Sequence, residues 1–330
     1  FSLNHILILI EMPQYCPTKR GVILVVASIF FLHATLMEKI ESRNLIENPS
    51  FLLDKDEEND NVVTNYQPPD SSVKKPVMYT FFEPTKDKYG CCGMSHEGHN
   101  TLLGAWKEAW EDRGWETTVL TKENAMDHPD FDTLTAKLQD LHVGEYDTKC
   151  FWRWLAMATI EDDNEEGLWM SDYDVFPLQL DAEEGRKIAN DRAFKSFSRH
   201  VPCLINASKH EWDRVIHLMM DQLENRRGKV SDMFMLKQVE QSLGMSGMNW
   251  SAEVADTFIY SKNITDGLFI NCKHFSWMKA IHLSHAGVQK AWKLGIHPNI
   301  EGIRGPGTAI RRRGESSIQL MKDFHQQCLG

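Results

Sequence analysis

The chain predicts an α/β fold, a sheet flanked by helices, on three observations. Short β-rich apolar runs alternate with segments whose apolar residues recur at helical spacing, and Gly and Pro fall at the boundaries between them. With 330 residues and 42% hydrophobic content, the chain can bury one sizeable core. In a sheet of this class ligands collect at the carboxyl ends of the strands.

Val77-Met-Tyr-Thr-Phe-Phe82 reads as a first, central strand that stops at Glu83-Pro84, and a loop with Gly90, Cys91, Cys92 and Gly93 follows. Asn100 is placed to cap a helix whose buried face is Leu102, Leu103, Trp106, Ala109 and Trp110. Gly114 ends it before the short strand Thr117 to Leu120. Asp130 to Asp140 reads as a helix, and Tyr146 to Ile160 as a mostly buried one carrying Phe151, Trp152, Trp154, Leu155 and Met157. The run Gly167-Leu-Trp-Met170 is the next strand. Beyond it, strands are expected near 192–197 and 202–205, helices at Lys209 to Glu224 and Ser231 to Gln241, and strands near 256–260 and 279–283. The tail from Gly302 is basic and Gly-rich, which predicts a mobile segment at 301–330 behind a folded domain at 76–300.

Ahead of that domain, Lys19-Arg20 precedes the near-continuous apolar run Gly21 to Met37. Positive charge on the cytosolic side makes 21–37 a signal anchor, with 1–20 as a cytosolic tail that Met12 would shorten. A cleaved signal peptide is the rival, but Leu32 is not the small residue preferred three places before Ala34. Residues 38–75 are charged, Asn-rich and poor in aromatics, as a flexible stem is. A type II protein of the Golgi or ER membrane would hold its folded domain in the lumen. There the sequons at Asn206, Asn249 and Asn263 would be usable, and six of the seven cysteines (all but Cys16) could form up to three disulfides. The net charge of −11 argues against nucleic acid as a partner.

Three Asp-x-Asp pairs occur, at 54/56, 130/132 and 172/174. The first lies in a polar run, and the second follows His128-Pro129 at the start of a helix. Only Asp172 and Asp174 have an apolar strand behind them, with Val175-Phe176-Pro177 ahead. Hard divalent cations such as Mn²⁺ or Mg²⁺ prefer carboxylate and phosphate oxygens, so this pair suits a metal held against a diphosphate. His282 and His285, at the end of a late strand, are candidate imidazole ligands to the same ion, His282 the stronger. Arg304 and Arg311-Arg-Arg313 are candidates to fold over the diphosphate. Arg153 sits amid Phe151, Trp152, Trp154 and Leu155, so its charge requires a site carboxylate or a phosphate. Asp232, next to Ser231 at a helix start, is a candidate to orient or deprotonate an acceptor hydroxyl, against simple capping. Trp106, Trp110, Trp152 and Trp154 read as core rather than as sugar-stacking platforms.

Asp172-Tyr-Asp174 after an apolar strand, with Arg153 on the preceding helix and Gly167 at the strand start, resembles the DXD-containing, sugar-nucleotide-dependent glycosyltransferases of the GT-A class. The likeness covers roughly Val77 to His285, and its specific part is Arg153 to Asp174. In that group the helix usually reads Ser-Asp-x-x-Arg and the strand Gly-Gly-x-Tyr-x-Asp-x-Asp. Here Cys150 replaces the Asp, Leu168 the second Gly and Met170 the Tyr. The resemblance implies a mixed, Rossmann-like sheet and transfer of a sugar from a nucleotide-diphosphate donor to a glycan or glycoconjugate acceptor. It also implies that Phe81, Phe82 and Glu83 border the nucleotide base, that His282 is a metal ligand, and that Asp147 stands in for the lost donor-sugar contact.

Two rival readings remain. A phosphatase of the haloacid-dehalogenase type would use Asp172 as nucleophile, but about 90 residues of α/β pattern precede the motif and no later acidic pair follows a strand. A lectin-like or scaffold protein would keep the fold without the chemistry.

Overall fold

β1 (Val77–Phe81) lies inside a six-stranded sheet, paired in parallel with β2 (Glu116–Leu120) on one side and β3 (Leu168–Ser171) on the other. The sheet continues through β6 (Leu204–Ala207), antiparallel to β3, then β5 (Lys195–Ser196) and β7 (Asn249–Trp250). A second sheet has the order β4 (Val175–Pro177), β11 (Ala280–His282), β8 (Val254–Ala255), and β9 (Tyr260–Asn263) forms a hairpin with β10 (Gly267–Ile270). The computed structural model describes residues 74–85, 93–161, 167–189, 192–224, 228–243, 248–256, 258–263 and 267–329. The expected anchor at 21–37, all of the stem before residue 74, and Cys91 and Cys92 lie outside them. Among the described residues no helix is long and apolar enough to cross a membrane.

Helices cover both faces of the larger sheet, because β3 alternates its side chains. Trp169 packs into one core with Trp106 and Trp110 of α1 (His96–Asp112), and Leu168 and Met170 into the other. That second core takes Phe151 and Trp154 from α4 (Glu145–Thr159) and Trp212 from α6 (Lys209–Glu224). α2 (Lys122–Met126) and α3 (Phe131–Asp140) precede α4, and α5 (Ala182–Ile188) follows β4. Two of the buried indoles donate within the core, Trp106 to Ser171 Oγ at 2.8 Å and Trp110 to the Val175 carbonyl at 3.1 Å, whereas Trp169 Nε1 has no hydrogen-bond partner among the described residues. The four tryptophans read as core are all buried, and truncating one such as Trp154 would cost about 3–5 kcal/mol.

Gly167 has φ +65°, and a Cβ there would stand 3.1 Å from the Ala207 carbonyl oxygen, so only glycine opens β3 this close to β6 without strain. α1 starts earlier than Asn100 predicts, because Ser95 is the cap and accepts the Gly98 N–H at 3.1 Å. The strands expected at 192–197 and 256–260 are shorter or displaced: the first narrows to β5, and the second is replaced by β8 and β9.

The larger correction concerns the tail. Instead of a mobile basic segment, 306–324 forms α9 (Pro306–Arg311) and α10 (Arg313–Phe324), which follow α8 (His285–Leu294) and belong to the core. Ala309, Ile310, Leu320 and Phe324 are buried, and α10 packs closely on α1. A disulfide between Cys272 and Cys328 ties the end of this segment to the chain after β10. Asn206 is fully buried in β6, which removes the first sequon from the folded protein's glycan acceptors, whereas Asn249 in β7 is exposed.

Candidate metal centre

The acidic pair sits where β3 ends and the chain turns into β4. The Asp172 N–H donates to the Cys203 carbonyl at 2.9 Å, the Val175 N–H to the Asp172 carbonyl at 3.0 Å, and the Leu283 N–H to the Asp174 carbonyl at 2.8 Å. Backbone bonds to both sheets therefore fix the two carboxylates. β11 delivers His282, whose Nε2 lies 3.3 Å from Asp174 Oδ1. One ligand atom each from Asp172, Asp174 and His282 lies within 4.8 Å of the others. Two carboxylate oxygens and one imidazole nitrogen form a donor set that could hold a divalent metal ion.

Two arginines flank the pair. Arg153 donates through Nη1 to Asp172 Oδ1, and through Nε (3.0 Å) and Nη2 to Asp232 Oδ2. Arg313 donates through Nη1 to Asp174 Oδ2 and to the Leu283 carbonyl, both at 2.9 Å. Burial alone would raise the Asp174 carboxyl, but His282 and Arg313 outweigh it and hold the group well below the usual carboxylate range. Asp172 moves the other way: burial, with Asp174 beside it, raises its carboxyl despite Arg153. Burial would depress His282, yet Asp174 lifts it well above the ordinary histidine value. Partial burial, with the Arg313 charge beside it, pushes His285 down to about 4.

The pair opens onto a cavity of about 330 Å³. Phe81, Phe82 and Glu83 line one part of it, and Asp147, Arg153, Asp232, His282 and His285 also reach its wall. Arg304 does not: it is exposed on the loop before α9, and the arginine of that segment that enters the site is Arg313. A signal for Arg313 did exist. Ala309, Ile310, Arg313, Leu320 and Phe324 form a buried stripe at helical spacing, and composition alone masked it as a cationic tail.

The expectation for Asp232 also changes. Its Oδ2 accepts from Arg153 and, at 3.1 Å, from Trp154 Nε1, while Oδ1 accepts the Met233 N–H at 2.7 Å. A carboxylate with its lone pairs so committed is a poor general base, and here it positions Arg153 against Asp172 at the start of α7 (Asp232–Leu243). Cys150, where the resembled pattern has Asp, lines the cavity one turn before Arg153, and burial raises its thiol so that it stays neutral. Burial raises the Asp147 carboxyl, with Lys229 opposing. A larger, more open hollow of about 1360 Å³, bounded by Asp127, His128, Arg192 and Asp213, shares no residue with this site.

Residues 65–266 match a family described as Domain of unknown function (DUF8765), so the matched part stops before His282, His285 and Arg313. Neither a curated protein nor a solved structure matches the chain. Since the match takes in more than half of the sequence, the chain belongs to the DUF8765 family.

Proposed function

We propose that the protein is a metal-dependent glycosyltransferase of GT-A type that moves a sugar from a nucleotide-diphosphate donor to a glycan or glycoconjugate acceptor. The observation that carries the reading is the meeting of Asp172, Asp174 and His282 on one cavity whose wall also includes the end of β1 at Phe81 to Glu83. Asp172, Asp174 and His282 would hold the divalent ion, which when bound neutralises charge on the diphosphate leaving group. Arg153 and Asp232 keep Asp172 aimed, and Arg313 does the same for Asp174. The ring of Tyr173 packs edge-on to Phe82 at 5.4 Å between centroids, so the turn carrying the acids is braced against the end of β1.

Asp147 remains the candidate contact for the donor sugar, since it reaches the same cavity that Cys150 lines with a neutral thiol. The commitment of Asp172 to Arg153 weighs against a phosphatase that needs this carboxylate as a free nucleophile. The Cys272–Cys328 disulfide fits an oxidising lumen such as the Golgi or ER. A thermal-shift screen of nucleotide sugars with and without Mn²⁺ tests the proposal. The expected result is a stabilisation by one donor class that needs the metal, and no shift with any donor would favour the scaffold reading.

A further inference from the structure

A second cluster of histidines and aspartates lies away from the metal cavity, where the connection between α2 and α3 meets α6. His128-Pro-Asp130 brings one of each type from that connection, and Asp213 and His217 share one face of α6. His128 Nε2 is 3.0 Å from Asp213 Oδ1, and His217 Nε2 is 2.9 Å from Asp130 Oδ2. The two imidazoles lie 6.3 Å apart between centroids.

The hydrogen bonds fix the proton count. His217 Nδ1 lies 2.8 Å from the Asp213 carbonyl oxygen while Nε2 faces a carboxylate oxygen, so both ring nitrogens meet groups that only accept. A ring that donates on both sides is an imidazolium. His128 differs, because its Nδ1 accepts the Asp130 N–H at 3.2 Å and only Nε2 carries a hydrogen, donated to Asp213. Asp130 also departs from local expectation. It stands at the N-cap of α3, where an aspartate usually accepts from its own helix, yet it makes no such bond and gives its carboxylate to His217.

We propose that this cluster is a proton-operated staple: protonated His217 ties the start of α3 to α6, and loss of its proton releases the segment Asp127 to Asp130. Asp127, His128 and Pro129 of that segment, with Asp213, bound the larger hollow of about 1360 Å³, so release reshapes its wall. His128, Asp130 and Asp213 are the titratable groups that His217 meets directly. On its outer side, Lys137 and Asp140 of α3 and Asp221 and Glu224 of α6 line a smaller hollow with it, Lys137 bonded to Glu224 at 3.4 Å. Asp147, Lys149 and Arg153 of α4 line the metal cavity instead, and Glu240 of α7 faces His200. Partial burial would lower His217, but the Asp213 carbonyl and the carboxylates of Asp213 and Asp130 outweigh it and raise the ring above the ordinary histidine value. The staple is therefore fully closed below about pH 6.5 and opens as pH rises through the raised value.

The staple does not depend on the transferase reading, and a local readout keeps it apart from His282. On the full chain, the Cε1–H resonance of His217, assigned by its absence in His217→Gln, is followed from about pH 5 to about pH 9. Amide exchange of 127–131, corrected for the intrinsic rate, is measured over the same range. Wild-type His217 is expected to titrate above about 6.5, and protection of the segment to fall by about tenfold as pH passes that midpoint. Asp130→Asn should bring the midpoint down. His217→Gln offers Asp130 a donor that does not titrate, so the pH step in protection should vanish. A wild-type midpoint at or below about 6.5, or a pH step of wild-type size in His217→Gln, overturns the staple. If the glutamine variant does not fold, an unchanged midpoint in Asp130→Asn overturns it equally.

Discussion

Arg313 Nη1 donates to Asp174 Oδ2 at 2.9 Å across 139 residues of sequence. The second carboxylate of the acidic pair is thus held by the C-terminal helix, and the placement of that helix is a property of the site. α10 can approach α1 so closely because residue 314 is glycine. A Cβ there would stand 2.7 Å from the Leu102 backbone nitrogen and 2.9 Å from the Thr101 carbonyl carbon.

Gly314→Ala is therefore expected to push α10 away from α1 and withdraw Arg313 from Asp174. Overpacking of this kind costs about 1–3 kcal/mol. Chemical denaturation should show that loss, and Mn²⁺ affinity should fall with it. Unchanged stability together with unchanged affinity would mean that the helix contact is not what positions Arg313.

Asp232 separates a positioning role from an acid–base role. Asp232→Ala strips Arg153 of one of its two buried carboxylate partners, and breaking such a pair costs about 3–5 kcal/mol. Asp232→Asn keeps the shape and leaves one oxygen to accept. If Asp232 only positions Arg153, the asparagine variant keeps the shape of the activity–pH profile at a reduced rate. Disappearance of an entire limb of the profile would restore Asp232 as the base.

The pH dependence of the metal-free protein follows from two opposite shifts. Asp174 holds His282 protonated well above the ordinary histidine range, so this contribution is complete below about pH 6.5 and is lost as pH rises through the raised value. Asp174 itself is depressed, so its contribution is complete above about pH 4 and is lost as pH falls through the lowered value. Stability to urea, measured with chelator present, is thus expected to decline on the alkaline side of neutrality in the wild type. His282→Asn should flatten that decline, and an identical decline in the variant would contradict the assignment.

The Cys272–Cys328 bridge closes a loop over a sequence separation of 56 residues that contains both His282 and Arg313. Cross-links of such loops contribute about 2–4 kcal/mol. Cys272→Ser with Cys328→Ser should lower the melting temperature, and the loss of Mn²⁺ affinity should exceed any change at the Arg153–Asp232 end of the site. Equal stability with and without reductant would show that the packing of α10 suffices.

Much of this was legible in the residues. The apolar run Gly167 to Met170 announced a buried strand, and buried strands place their following residues at a sheet end, which is where Asp172 and Asp174 stand. The helix periods around Trp106, Trp154 and Trp212 were equally clear, because those faces really are apolar. Of the second sheet only β11 was legible, inside the strand expected near 279–283; β4 and β8 have three and two residues and are defined by pairing rather than by propensity. Arg313 was lost among neighbouring arginines, since a charge run usually marks a solvated face and masked the helical spacing that sets the buried member apart from Arg304 and Arg311. Asp232 looked like an N-cap because local sequence cannot show that Arg153, 79 residues earlier, occupies its carboxylate.

The central claim is that Asp172, Asp174 and His282 form one metal site that serves a nucleotide sugar. The most direct test is hydrolysis of a panel of nucleotide sugars by wild type and Asp174→Asn, with Mn²⁺ and with chelator. The expected result is Mn²⁺-dependent hydrolysis of one donor class by the wild type, reduced by about a hundredfold or more in the variant. Hydrolysis that persists under chelation, or at wild-type rate in Asp174→Asn, would contradict it.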